Sequence, residues 1–380
     1  MRDAVIVEAV RTPVGRRNGA YKDTHPVDLS AHVLEALAER SGIDPAVVDD
    51  VIWGTVGQVG EQAFNVGRNA VLGAGWPESV PGTTVDRQCG SSQQAAHFAA
   101  AGVISGQYDV AVAGGVEAMT RVPMGSSIGK DVGFPFGPRM LARYEGQQIN
   151  QGLGAEMIAK RWGFSRAEVD EFSLRSHEKA AAAIDSGAFA KQYAVVPGTG
   201  LEVDEGVRRE TSLDKLGALK PAFAEDGVIT AGNSSQISDG AGALLITTSE
   251  KARELGLKPL VRLHSFSVVG DDPVIMLTGP IPATANVLAR SGLSISDIGA
   301  YEINEAFAPV PMAWLAETGA DPKALNPLGG AIAIGHPLGG SGAILMTRLV
   351  HHMVDNGIQY GLQSMCEGGG MANATILELL

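Results

Sequence analysis

Val85-Asp-Arg-Gln-Cys-Gly-Ser-Ser-Gln-Gln-Ala-Ala-His-Phe-Ala-Ala-Ala-Gly102 opens on a short apolar approach, turns at Cys89-Gly90 and continues in Ala and Gln. This pattern predicts a strand or loop that delivers Cys89 to the first turn of a helix. Unpaired N–H groups and the positive end of the dipole at a helix start favour a thiolate, the nucleophilic form of cysteine. Gly90 leaves room beside the sulfur for an acyl group to approach the backbone. A small buried residue at a tight helix start has the same signature, so the remaining chain must decide by supplying, or failing to supply, a base, an oxyanion site and a ligand.

The chain has 380 residues, 45% hydrophobic and 19% charged, which is enough apolar material for two or three packed domains. A net charge of −13 argues against broad binding to nucleic acid or anionic membranes. It leaves open a local patch for a phosphorylated ligand. Two cysteines, Cys89 and Cys366, make no disulfide framework and suit a reducing cytoplasm, although a single bridge between them stays open. The first residues run into a strand pattern without an apolar leader, and no uninterrupted apolar run offers a membrane span.

Strand patterns at residues 4–10, 49–56 and 109–119 alternate with helical spacing at 28–41, at 65–72 and after Cys89. That alternation predicts an α/β layered fold. Gly42 reads as a helix stop, and the strand at 109–119 is expected to break at Gly114-Gly115. Between residues 120 and 236 the texture changes. Gly, Pro and charge cluster first, helices follow at 154–162 and 166–186, and a charged run at 202–210 precedes Leu219-Lys-Pro-Ala-Phe223. This reads as an inserted lid. Strands at 240–248 and 260–268, a helix at 283–291, a strand near 297–302 and an apolar helix after Gly342 restore the α/β texture. Residues 110–119 and 362–371 both set a strand before glycines, a faint repeat of two similar halves.

His336 stands between Gly335 and Pro337 in a glycine-dense loop just ahead of a helix, a rigid place for one imidazole. The other seven histidines, His177 among them, read as surface or satisfied core residues. A cysteine nucleophile needs a base, and histidine suits that role near neutral pH. Cys366 ends a strand before three glycines whose N–H groups can bind an oxyanion, and Asn304 offers an amide for a water or a carbonyl. Two thiols, an imidazole and an amide suit acyl transfer through a thioester.

Four motifs in order now carry a resemblance to the thiolase family: Val85-Asp-Arg-Gln-Cys-Gly-Ser91, Asn304-Glu-Ala-Phe-Ala308, Gly329-Gly-Ala-Ile-Ala-Ile-Gly-His-Pro-Leu-Gly339 and Cys366-Glu-Gly-Gly-Gly-Met371. The chain resembles acetyl-CoA C-acyltransferases over essentially its whole length. The resemblance implies two similar βαβαβαββ halves in a five-layer α-β-α-β-α arrangement. Residues 1–120 plus 236–256 would form the first half, 121–235 a CoA-binding lid, and 257–380 the second half. It also implies a homodimer or homotetramer that takes coenzyme A and a 3-ketoacyl-CoA as substrates, with no permanent cofactor, no metal and no nucleic acid.

By the same resemblance Cys89 would carry the acyl group, and His336 would activate it and, with a water on Asn304, stabilise the enolate. Cys366 would move the α-proton, and the N–H groups of Cys89 and Gly368 would hold the acyl oxyanion. Arg208 would meet the CoA nucleotide, Ser235 and Phe307 the pantetheine, and Met276 the acyl chain. Three departures from short-chain biosynthetic members are Asn150-Gln-Gly152, Asn233-Ser-Ser-Gln236 and Cys366-Glu-Gly-Gly369. They are similar to an actinobacterial branch that degrades longer, branched or steroid 3-ketoacyl-CoA. Rival readings are a biosynthetic acetoacetyl-CoA thiolase, a ketoacyl synthase with a Cys-His-His set, and a non-catalytic acyl-CoA or lipid carrier. The second thiol argues against the synthase.

Overall fold

Alternation in the first strand already requires two cores. In β1 (Val5–Arg11) Val5, Val7 and Val10 face one hydrophobic cluster, while Ile6 and Ala9, with Ala4 before them, face another. A register shift between Ile6 and Glu8 lets Val7 and Val10 share a face despite their odd spacing. A strand buried on both sides must lie in a sheet covered on both sides.

The computed structural model describes residues 2–380 and supplies that cover. The first half continues with β2 (Gly15–Arg16), α1 (Pro26–Ser41), β3 (Asp50–Gly54), α2 (Val66–Gly73), β4 (Gly82–Val85), α3 (Ser91–Ser105) and β5 (Val110–Ala118). The helices α4 (Pro138–Arg143), α5 (Gln151–Trp162), α6 (Arg166–Asp185) and α7 (Leu213–Gly217) come next, before β6 (Ser238–Thr247) and α8 (Ser249–Glu254). The second half follows as β7 (Val261–Gly270), α9 (Pro280–Ser291), β8 (Ala300–Ile303), α10 (Pro309–Thr318), α11 (Ala331–Ile334), α12 (Ser341–Asn356), β9 (Tyr360–Glu367) and β10 (Met371–Leu379). Strand order is β4-β3-β5-β6-β1-β7-β10-β9-β8, with β2 on β6. The two halves of this ladder, one sheet each, join edge to edge at β1 and β7, where Val5 faces Arg262 and Ile6 faces Val261.

Each half buries one outer helix layer. Leu29, Val33, Leu34 and Leu37 of α1 pack with α2 on the first sheet, each worth about 1.5–3 kcal/mol of burial. In the second half Ala283 and Val287 of α9, with Trp314 of α10, cover the second sheet. Between the sheets lie α3, with Ala95, Ala96, Ala99 and Val103, and α12, with Met346, Leu349 and Met353. These are the five expected layers. Gly42 ends α1 at φ 71, as expected.

The first half runs βαβαβαββ. The second repeats it with one loss, its third strand being reduced to a parallel bridge between Tyr301 and Leu325. Asn326, at φ 43, turns the chain there, and its side chain bonds both backbone groups of Ile303 at 2.9 Å. The expected break at Gly114-Gly115 does not occur. β5 runs through both glycines, because a Cβ on Gly114 would strike the Trp53 ring and one on Gly115 would strike the carbonyls of Gly339 and Gly54. Of the two glycine runs in the repeat, the one after β9 turns the chain, at Gly369 (φ 83) and Gly370 (φ 73). Among the described residues no helix is long and apolar enough to cross a membrane.

Candidate active site

Small residues let the two central helices cross at their starts. Gly342 of α12 leaves no room for a Cβ against the backbone of Gln93, and Gly54 leaves none against Ser91 and Ser92. Ala343 N–H donates to Ser92 Oγ at 2.9 Å. The turns that precede α3 and α12 are thereby held together, and they carry Cys89 and His336.

Cys89 precedes the N-cap Gly90, so it sits just outside the helix rather than in its first turn. Gln88 before it takes φ 50, a left-handed conformation that a non-glycine residue adopts at a cost. Burial, not the helix dipole, governs the thiol. Its pKa is raised well above the ordinary value, first by burial and then by Cys366 and Glu367 nearby. The thiolate expected from the helix start is therefore not the resting form. Cys366, on β9, is pushed up to about 12 by burial, partly offset by Asn304 and backbone N–H groups. A Cys366 thiolate would raise the Cys89 thiol further.

His336 follows Gly335, which takes φ 103 at the end of α11. Its N–H donates to Gln236 O at 3.1 Å. The ring Nδ1 lies 2.6 Å from Ser341 Oγ, and that hydroxyl donates to Pro337 O at 2.8 Å. One hydroxyl proton cannot serve both, so Nδ1 carries the proton and Nε2 keeps its lone pair. Burial holds the imidazole at about 4, neutral and ready to accept a proton. Asn304 Nδ2 stands 3.5 Å from that Nε2 and 3.7 Å from Cys366 Sγ. Its buried Oδ1 has no partner, a free acceptor for a water or a substrate group.

The structure therefore joins Asn304, His336 and Cys366 through hydrogen bonds, with Cys89 close enough to Cys366 to feel its charge. Gly368 lies against the residue preceding Cys89, since a Cβ on it would stand 2.9 Å from Gln88 Oε1. Met276 and Phe307 share one packed cluster with Cys366. Ser235 N–H donates to Ala306 O at 2.9 Å, which sets it beside Phe307. Arg208 lines a separate cleft of about 450 Å³ with Arg209, Glu210, Thr211 and Lys215, a cationic setting suited to phosphates.

Sequence reasoning missed the groups that hold these residues. Glu117 accepts from Val56 N, Gly57 N, Gln62 Nε2 and Gly339 N at 2.6–3.0 Å, tying the turn after His336 to the loop after β3. Gln236 Nε2 donates to Gly206 O, Ile332 O and Ala333 O, linking the loop before Arg208 to α11. Glu367 is wholly buried with both oxygens unpartnered, pressed against Gly90, and raised to about 8 by burial. Only its place after Cys366 drew notice in the sequence.

Comparison with known proteins gives consistent results. Residues 4–250 match the thiolase N-terminal domain and residues 257–379 the thiolase C-terminal domain. Over the whole chain the sequence is 50% identical to steroid 3-ketoacyl-CoA thiolase FadA6 of Mycobacterium tuberculosis, of which it covers 95%. It is 45% identical to a 3-ketoacyl-CoA thiolase of Erwinia tasmaniensis, with full coverage of both chains. The crystal structure of the Bacillus anthracis acetyl-CoA acetyltransferase superposes with a TM-score of 0.91 at 38% identity, over 100% of this chain and 99% of that one.

Proposed function

The chain belongs to the thiolase family, and we propose that it cleaves its substrate through an acyl-Cys89 intermediate. It is an acyltransferase that splits 3-ketoacyl-CoA with coenzyme A. The observation that supports the mechanism is the neutral His336, whose Nε2 keeps its lone pair and faces the Asn304 amide at 3.5 Å.

His336 Nε2 takes the Cys89 proton as the sulfur attacks the 3-keto carbon. The new C–S bond and the alkoxide form together, with the N–H groups of Cys89 and Gly368 as oxyanion donors. The alkoxide then re-forms its carbonyl and expels the C2 carbanion as the thioester enolate of acetyl-CoA. His336, now an imidazolium, and a water on Asn304 hold the enolate oxygen, and Cys366 protonates C2. Free CoA loses its thiol proton to the Cys366 thiolate and attacks acyl-Cys89. The shortened acyl-CoA leaves, and the Cys89 sulfur recovers the proton held by His336. Synthesis of a 3-ketoacyl-CoA is the reverse.

Residues 121–235 are assigned as the lid that receives CoA. Arg208 is placed at the nucleotide, Ser235 and Phe307 at the pantetheine, and Met276 along the acyl chain. The first half is assigned residues 1–120 plus 236–256 and the second 257–380. A bulky or ring-bearing acyl group is favoured, because the relative at 50% identity is named a steroid thiolase. The acetyl-CoA acetyltransferase at 38% identity supports acetoacetyl-CoA as the second reading.

Intact mass after brief exposure to acetoacetyl-CoA or to a ring-bearing 3-ketoacyl-CoA tests both points. An adduct on Cys89 that CoA discharges is expected, and the ring-bearing substrate should load faster. Loading that persists in Cys89→Ala would overturn the mechanism, and faster loading by acetoacetyl-CoA would overturn the choice of substrate.

A further inference from the structure

We propose that two adjacent buried residues of α6, Ser176 and His177, are positioning residues for the reaction, Ser176 holding the turn of His336 and His177 the loop of Arg208. The His177 half rests on the reading that Arg208 meets CoA. Neighbours on a helix point about 100° apart, so one turn of α6 can serve two different loops.

Ser176, 3% exposed, donates from Oγ to Glu305 Oε2 at 2.6 Å and accepts from Gly330 N at 3.0 Å. Glu305 directly follows Asn304. Its carboxylate also accepts from Asn326 Nδ2 at 2.9 Å and from Ile332 N at 3.2 Å. Gly330 is the N-cap of α11, and α11 ends at Ile334, two residues before His336. A side chain on Gly330 would collide with the Glu305 carboxylate, and Gly329, at φ 74, packs on the Ser176 carbonyl. Loss of the Ser176 hydroxyl leaves the Gly330 N–H without its acceptor and one Glu305 oxygen short of a donor. The strain falls on the two loops that carry Asn304 and His336.

His177, 4% exposed, accepts on Nδ1 from the backbone N–H of Arg208 at 3.1 Å. Only an unprotonated Nδ1 can accept, so the ring is neutral with its proton on Nε2. Burial and the neighbouring Arg208 charge keep it so, at about 4. Arg209, one residue on, pairs with Asp185 at 2.7 Å near the end of the same helix. α6 thus fixes the backbone that presents the cationic cleft while leaving the Arg208 side chain available.

Steady-state thiolysis of acetoacetyl-CoA with CoA varied separates the two roles. His177→Ala should raise KM for CoA about tenfold, as expected for one lost buried hydrogen bond, with kcat within about twofold. His177→Asn, whose amide oxygen can accept from the same N–H, should restore most of the KM. Ser176→Ala should lower kcat about tenfold with KM for CoA unchanged. Ser176→Cys replaces it if the alanine variant does not fold. Proportional changes of kcat and KM in both variants, or no rescue by His177→Asn, would overturn the proposal and leave a purely structural role. Arg208→Ala, run in parallel, distinguishes the two failures. A raised KM there beside an unchanged His177→Ala sinks only the positioning role. An unchanged KM for Arg208→Ala sinks the CoA reading and the His177 half with it.

Discussion

The starts of α3 and α12 are built alike and equipped differently. Both helices lie between the sheets, and each begins at a glycine N-cap, Gly90 or Gly340, without a side-chain cap. A thiol stands before the first and an imidazole before the second. Cys89 follows Gln88 at φ 50, and His336 follows Gly335 at φ 103. The repeated elements thus supply a common frame, and the chemistry enters through irregular turns just outside it. A duplicated fold can divide labour this way because a turn residue changes without disturbing either sheet.

Exchanging the proposed roles of the two thiols breaks the comparison most sharply. Cys89→Ser should lower thiolysis by about 10³-fold or more and abolish acyl loading. Cys366→Ala should still exchange labelled CoA into acetyl-CoA, because that needs acyl transfer alone, while losing cleavage of the C–C bond. Equal loss of exchange in the two variants would remove the division of labour.

The crossing of the helices is tested next. Gly342→Ala puts a Cβ into the backbone of Gln93, and overpacking of this kind costs about 1–3 kcal/mol. Gly217→Ala, where a Cβ meets no atom within 4 Å, should leave the melting temperature unchanged. Thermal melts of the pair check whether close approach of the helices, rather than glycine loss as such, is what matters.

A pH-dependent effect concerns Glu367, which acts on the nucleophile's side of the centre. Its carboxyl is raised from 4.5 to about 8 in the folded protein. The native state therefore binds more protons than the unfolded one between those pH values, and stability falls as pH rises through that window. Glu367→Gln should gain stability over the parent from pH 5 to pH 8, with the gap level above about 8. Alkylation of Cys89 should also lose any inflection near pH 8 in the variant, because the charge facing the sulfur is gone. Arg87 and Asp86 also face the carboxyl, and Cys366 and Glu117 act on the thiol; all remain in place, so the change reports Glu367 alone. Denaturation midpoints and alkylation rates against pH measure both.

Motifs with local grammar are legible in the sequence. The stop at Gly42, the glycine-rich turn of His336 and the strand that bears Cys366 each carry their signal within a few residues. Contacts between distant segments are not. Ser176 and Glu305 meet across 129 positions, and His177 and Arg208 across 31, so a helix of ordinary pattern concealed both. Gly114-Gly115 misled for a related reason. Glycine marks either a turn or a close approach, and only the Trp53 ring and the Gly339 carbonyl decide for the second. The charge state of Cys89 was misjudged because burial depends on what the whole chain brings to it. The lost third strand of the second half lies in Leu325 and Asn326, whose composition alone cannot count hydrogen bonds.

The narrow seam between the sheets also sets an order of events during synthesis. β1 emerges first, yet its partners are β6 and β7, from Ser238 onward. At about 5–20 residues per second, the first strand waits on the order of 12–50 s for a neighbour. Through that interval its Val and Ile side chains have no sheet to join, while β3, β4 and β5 can already pair. A nascent chain stalled before residue 238 should therefore offer its N-terminal strand to chaperones, and completion of β6 should withdraw it.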